Sequence, residues 1–285
     1  MERKTSSDWD DAQASPGSAA IRRPHLVDLE PNSDRLTFAP MAVLAHEGIY
    51  PIMYGACPIP LGNGHRTGYL ARPDTAGRFP VTFVLPGLDG LGSFEKDLCR
   101  RLARNGILAI SLGFYRQAGD PLDGYNTLSD ARAIAELDEL HAYVVSDDLE
   151  WAVGDEIAML GVDVGGRFGL ISAATRPWVR SLVLAYTPLT GDEDREYQVA
   201  DFLDHLPVPV LGLYGADDDL VHPSTVDEAQ NRNQHGQWLL YPGARHRFLD
   251  IDAPEYNASA SEDAMGRILV FLEETLPPAI EEELG

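Results

Sequence analysis

The sequence predicts an α/β fold with a mainly parallel central sheet and helices on both faces. Three observations carry that prediction. Short apolar runs alternate with longer amphipathic segments along most of the chain. The runs are seven to nine residues long and mostly lack polar alternation, as strands buried on both faces do. Several end in glycine or aspartate turns, and such β-then-α order favours parallel pairing.

Residues 65–73 (HRTGYLARP) can add an antiparallel edge strand ahead of the first core run. The core runs are 81–87 (VTFVLPG), 107–114 (ILAISLGF), 156–162 (EIAMLGV), 181–189 (SLVLAYTPL), 208–215 (VPVLGLYG) and 237–243 (QWLLYPG). Helical segments are predicted at 93–106, 127–147, 164–176, 224–233 and 261–276. Residues 1–38 are rich in Ser, Asp, Ala and Pro without a period, so a disordered or loosely attached extension is expected there. Residues 39–285 then form a single domain, with no internal repeat.

Composition narrows the partners. A formal charge of -23 argues against nucleic acid, whose phosphates would be repelled. No run of about 18 apolar residues offers a membrane span, and the first residues lack the apolar core of a signal peptide. The expectation is a cytoplasmic monomer or homodimer acting on a small molecule. Cys57 and Cys99 are too few for a disulfide framework and are expected as buried thiols. The sequence has no phosphate-binding glycine loop, metal-ligand cluster or nicotinamide fingerprint, so neither a metal nor a cofactor is expected.

Chemistry concentrates in three turns. The first is Gly161-Val162-Asp163-Val164-Gly165-Gly166, between an apolar run and a helical segment. Such a glycine turn holds its central side chain in a strained bend above the sheet edge, at a helix N-terminus that favours negative charge. The second turn, GADDD (215–219), offers a carboxylate to orient a histidine. The third, PGARH (242–246), puts His246 just past the last core run, where a general base belongs. Each turn alone has a plain alternative: a helix cap, a solvated loop, an idle histidine. Their order, nucleophile then acid then histidine, is that of a hydrolase triad on this kind of sheet.

On these motifs the sequence resembles the dienelactone hydrolase family of α/β-hydrolases. The likeness runs from GYLARP through FVLPGLDGL, SLGFYRQAGDP and the glycine turn to YGADDD and GARHRF, roughly residues 65–275. The resemblance implies an α/β-hydrolase fold acting on an ester, lactone or similar bond. It places Asp163 at the nucleophile position, Asp218 at the acid and His246 at the base. The backbone N–H groups of Leu88 and Val164 take the oxyanion-hole positions. The family's cysteine or serine is absent, because Asp163 stands there. Its thiol-controlling glutamate and its substrate-binding arginine match Gly87 and Asp250.

An aspartate changes the chemistry that is open. A carboxylate can attack an sp³ carbon bearing a leaving group and form an alkyl–enzyme ester, as in epoxide hydrolases and dehalogenases. Asp163 can instead serve as general base in hydrolysis or in a biosynthetic ring-forming or ring-opening step. A non-catalytic ligand-binding homologue is the reading from another class. Only 18 residues (190–207) separate two of the core runs, which leaves no room for a large cap domain there. Tyr115, Arg116, Tyr125 and Tyr186 are therefore the candidate substrate-binding side chains, with Trp178 a further candidate donor.

Overall fold

The computed structural model describes residues 48–62, 64–115, 121–146, 149–190 and 194–281. The extension expected over residues 1–38 lies outside them, as does Arg116. The described chain begins with an antiparallel hairpin, β1 (Ile52–Leu61) and β2 (Gly64–Pro73). After the two-residue β3 (Gly77–Arg78) come β4 (Val81–Leu85), α1 (Ser93–Arg104) and β5 (Leu108–Leu112). Two helices, α2 (Pro121–Thr127) and α3 (Asp130–Val144), lead into β6 (Ile157–Val162), α4 (Gly165–Thr175) and β7 (Val179–Ala185). A short 3-10 helix (Val199–His205) precedes β8 (Val210–Gly215), α5 (Pro223–Arg232) and β9 (Gln237–Tyr241). The last elements are α6 (Ala258–Thr275) and β10 (Ile280–Glu281), which pairs with β3.

Eight strands form one sheet in the order β1-β2-β5-β4-β6-β7-β8-β9. β1 and β2 are an antiparallel edge, and the pairings from β5 across to β9 are parallel. Every residue of β4, β5, β6 and β8 is buried, which explains their unbroken apolar sequences. Successive side chains along a strand point to opposite faces. Phe83, Leu85 and Met159 thus join a core with α3, α4 and α5, while Val84, Ala158 and Leu160 join a second core with α1 and α6. Each fully buried Leu or Phe contributes about 1.5–3 kcal/mol of burial.

This topology positions the site. The chain leaves β4 for β5 on one side and returns to β6 on the other. The loops after β4 and β6 therefore diverge at the carboxyl edge and open a crevice there. Among the described residues, only the short 3-10 helix stands between β7 and β8, so no large cap covers that crevice.

Three local features depart from the sequence expectation. β1 was not expected, because half of its residues are exposed and it includes Pro58 and Pro60, both tolerated at a sheet edge. Cys57 lies on that strand and is only partly buried, whereas Cys99 in α1 is fully buried. The helix expected over 127–147 starts at Asp130, because the Ser129 side chain accepts the Arg132 N–H at 3.3 Å and caps it.

Candidate active site

Asp163 sits where β6 passes directly into α4, with φ at +48°. For a residue other than glycine this left-handed conformation costs on the order of 1–3 kcal/mol. The surroundings enforce it. The Asp163 N–H donates to the Ala185 carbonyl at 3.0 Å, and its own carbonyl accepts from Gly166 N–H at 3.1 Å. A Cβ on Gly161 would lie 2.3 Å from Gly166 Cα, and one on Gly165 would lie 2.4 Å from the Pro86 carbonyl oxygen. Strand, helix and β4 loop can approach this closely only because these positions are glycine.

The bend presents the Asp163 carboxylate to two donors. Leu88 N–H, in the loop after β4, donates to Oδ2 at 3.1 Å. His246 Nε2 lies 3.3 Å from Oδ1. Gly87 packs so closely that a Cβ there would be 3.2 Å from the Asp163 Cβ and 3.4 Å from Oδ2. Val164, next in the chain, is the N-cap residue of α4.

His246 is held from its other side. Its Nδ1 lies 2.9 Å from Asp218 Oδ2, while Asp218 Oδ1 accepts the N–H groups of Leu220 at 2.8 Å and Val221 at 2.9 Å. Burial opposes charge on both partners. On Asp218 the bonds from His246 and the two backbone N–H groups outweigh it and hold the carboxyl below its usual range. On His246 the two aspartates outweigh burial and push the imidazole up to about 9. Asp219 pairs with Arg245 instead, and His222 stands at the N-terminal end of α5.

Asp163 and His246 open onto a cavity of about 510 Å³ lined also by Glu95, Tyr186, Arg247 and Asp250. Tyr186 is 1% exposed, its ring centroid 5.1 Å from that of His246, and its hydroxyl has no hydrogen-bond partner among the described residues. Burial, with Glu95, Asp163 and Asp250 nearby, pushes that hydroxyl well above the usual tyrosine range. The other two tyrosines do not line this cavity. Tyr115 donates its hydroxyl to the Pro86 carbonyl at 3.1 Å and packs edge-on against Tyr125, bracing the β4 loop from behind. Tyr125 also lies under Arg195, 4.4 Å from guanidinium to ring centroid. Trp178 stacks on His141, away from the cavity.

Two residues at the site were not singled out from the sequence. Glu95 is buried in the first turn of α1 and accepts Gly92 N–H at 2.9 Å; burial raises its carboxyl above the usual range. Its spacing from Gly92 is a capping signal, which says nothing of a cavity. Arg247 has φ of +59° and donates to Asp89 and Asp250, both at 2.7 Å. Its only sequence signal was adjacency to His246. Among the described residues, no group of three or more His, Cys, Asp or Glu side chains is arranged to hold a metal ion.

Comparison with known proteins follows the same outline. Residues 67–276 match the model of the dienelactone hydrolase family. A provisionally named carboxymethylenebutenolidase of Yersinia pestis is 31% identical over 231 residues, covering 75% of this chain and 86% of that protein. One of Escherichia coli is 29% identical over 242 residues, covering 78% and 88%. The crystal structure of a provisionally named dienelactone hydrolase of Klebsiella pneumoniae aligns with TM-score 0.72 at 27% identity, covering 79% of this chain and 99% of that one.

Proposed function

The chain belongs to the dienelactone hydrolase family and has the α/β-hydrolase fold, and from that premise we propose that it hydrolyses a small organic molecule with Asp163 as nucleophile, His246 as base and Asp218 as the group that orients the histidine. One observation carries this reading. The two oxygens of Asp163 are differentiated: Oδ2 meets the Leu88 N–H and Oδ1 faces His246.

The chemistry follows from that division. A carboxylate attacking a carbonyl would form a mixed anhydride, a product more reactive than the ester it came from. Attack on an sp³ carbon gives a stable alkyl ester instead, as the bond from that carbon to halide, epoxide oxygen or lactone carboxylate breaks and the departing group takes the electron pair. Suitable carbons are those of an epoxide, of a carbon–halogen bond, or the alkyl carbon of a strained lactone. In the second step His246 takes a proton from water, and the water oxygen adds to Cγ of the Asp163 ester. The oxyanion develops on the oxygen already facing Leu88 N–H, with Val164 N–H at the start of α4 as the second donor. On its collapse the ester C–O bond to Cγ breaks and the product alkoxide takes the proton from His246. Each such donor is worth roughly 3 kcal/mol in the transition state.

The protonation of His246 fits the same sequence. With two carboxylates beside it, the imidazole is held up to about 9 and is an imidazolium at neutral pH. Alkylation of Asp163 removes one of those charges. The histidine then loses a proton more readily and becomes a base at the step that needs one.

Hydrolysis of an ester or lactone carbonyl, with Asp163 as general base on water, is the second reading. The family match favours it. Single turnover in heavy-oxygen water, with enzyme in excess, distinguishes the two. A nucleophilic Asp163 acquires the label in its carboxylate, whereas general-base action leaves Asp163 unlabelled and the product labelled.

A further inference from the structure

The cavity beside Asp163 is lopsided in charge. Its lining carries the carboxyl groups of Asp89, Glu95, Asp163, Asp250 and Asp252 against only two basic side chains, His246 and Arg247. Both basic groups already face carboxylates, although the Arg247 side chain is 41% exposed. His246 lies between Asp163 and Asp218. Arg247 gives Nη1 to Asp89 and Nη2 to Asp250 at 2.7 Å each. Asp250 is 2% exposed and is itself fixed by the Asp252 N–H, which donates to its Oδ1 at 3.0 Å. The remaining wall is largely apolar, from Phe94 and Val162 to Leu220, which is 71% exposed.

We propose that this cavity admits uncharged electrophiles and turns away carboxylate-bearing ones, with Asp89 and Asp250 setting that preference by occupying Arg247. The proposal deepens the reading above and rests on the same site. A substrate carboxylate at Arg247 would meet a guanidinium whose charge Asp89 and Asp250 already balance. It would then share the cavity with the other carboxylates of the lining, which repel a like charge. The chain's formal charge of -23 opposes its approach from a distance as well. An uncharged substrate meets none of these costs and gains contact with the apolar wall.

Two matched substrate pairs test this on the full-length protein. The first is styrene oxide against its 4-carboxylate; the second is 4-nitrophenyl butyrate against mono-4-nitrophenyl succinate. Each kcat/KM is divided by the uncatalysed rate of the same compound. The uncharged member is expected to lead by on the order of tenfold or more in a pair that is turned over, with the gap shrinking between about 0.02 M and about 0.5 M salt. Asp89→Asn and Asp250→Asn should each narrow the gap by freeing one face of Arg247; the exposed Asp89 guards against a folding defect at Asp250. A carboxylate partner turned over as well as its uncharged mate, or a gap indifferent to both variants, overturns the proposal. If the ester pair obeys the rule while the epoxide pair is inert, the nucleophile reading fails and the charge rule stands.

Discussion

His246 and Asp163 lie with Nε2 3.3 Å from Oδ1, and that contact makes the histidine a bridge between two carboxylates. Burial alone would lower its pKa from 6.5, but the bonds from Asp163 and Asp218 reverse the shift to about 9. A pKa raised in the folded state stabilises the fold in full below about 6.5, and that stability is lost as pH rises through about 9. At about 1.4 kcal/mol per pH unit, the loss is on the order of 3–4 kcal/mol at most. Urea unfolding of wild type and His246→Gln at pH 6 and pH 10 isolates it, because other titrations cancel in the difference. An identical pH dependence in the two proteins would refute the bridge.

His246→Gln should separate the two chemical steps. The attack by Asp163 needs no base, whereas hydrolysis of the resulting ester does. Turnover is expected to fall by about 10²- to 10⁴-fold, while one equivalent of substrate is still consumed in a burst, with release of its leaving group where it has a separate one. Intact-protein mass spectrometry should find the adduct, and peptide mapping should place it on Asp163. A variant that loses the burst along with the turnover argues for general-base chemistry.

Gly87→Ala probes how tightly the Asp163 carboxylate must be seated. Gly87 is not in the left-handed region, so alanine is acceptable to its backbone. The new methyl would nevertheless meet the Asp163 Cβ at 3.2 Å and crowd Oδ2 against its bond to Leu88. The expected result is a fall of about 100-fold in kcat, typical of displacing a reacting group by about 1 Å. The melting temperature should move little. Unchanged kcat would mean that Leu88 N–H does not guide this carboxylate.

The contrast between what was legible in the sequence and what was not follows the range of the interactions. β4, β6 and β8 are buried on both faces, so they had to be apolar throughout and could be read directly. The edge strand β1 is half-exposed and leaves no such pattern. At the site, strands carry Asp163, Asp218 and His246 to one edge, and their order along the chain announced them. The Leu88–Asp163 bond uses a backbone N–H that any residue provides, so no side-chain pattern marks it. Arg247 and Asp89 meet across 158 positions, which no local signal can convey. The expected substrate contacts of Tyr115 rested on its residue type, which does not reveal that its hydroxyl is directed at Pro86.

The buried carboxylate of Asp130 should prove the most sensitive structural position near the site. Asp130 is 1% exposed and takes two bonds from Arg167, at 2.8 Å to Oδ1 and 2.6 Å to Oδ2, and one from Arg195 at 2.8 Å. Burial opposes its charge, and the two arginines outweigh that and hold its carboxyl below the usual range. Arg167 belongs to the first turn of α4, the helix that begins just after Asp163, so this cluster anchors the bend from beneath. Asp130→Asn leaves a buried guanidinium without its counter-charge, which costs about 3–5 kcal/mol. Because the folded pKa is depressed, the stabilisation is present above 3.8 and fades as pH falls through the lower folded value. Urea midpoints at pH 7 should therefore separate wild type from Asp130→Asn widely, and acidification should bring them together. Equal stability of the two proteins at pH 7 would show that the pair does not hold the elbow helix in place.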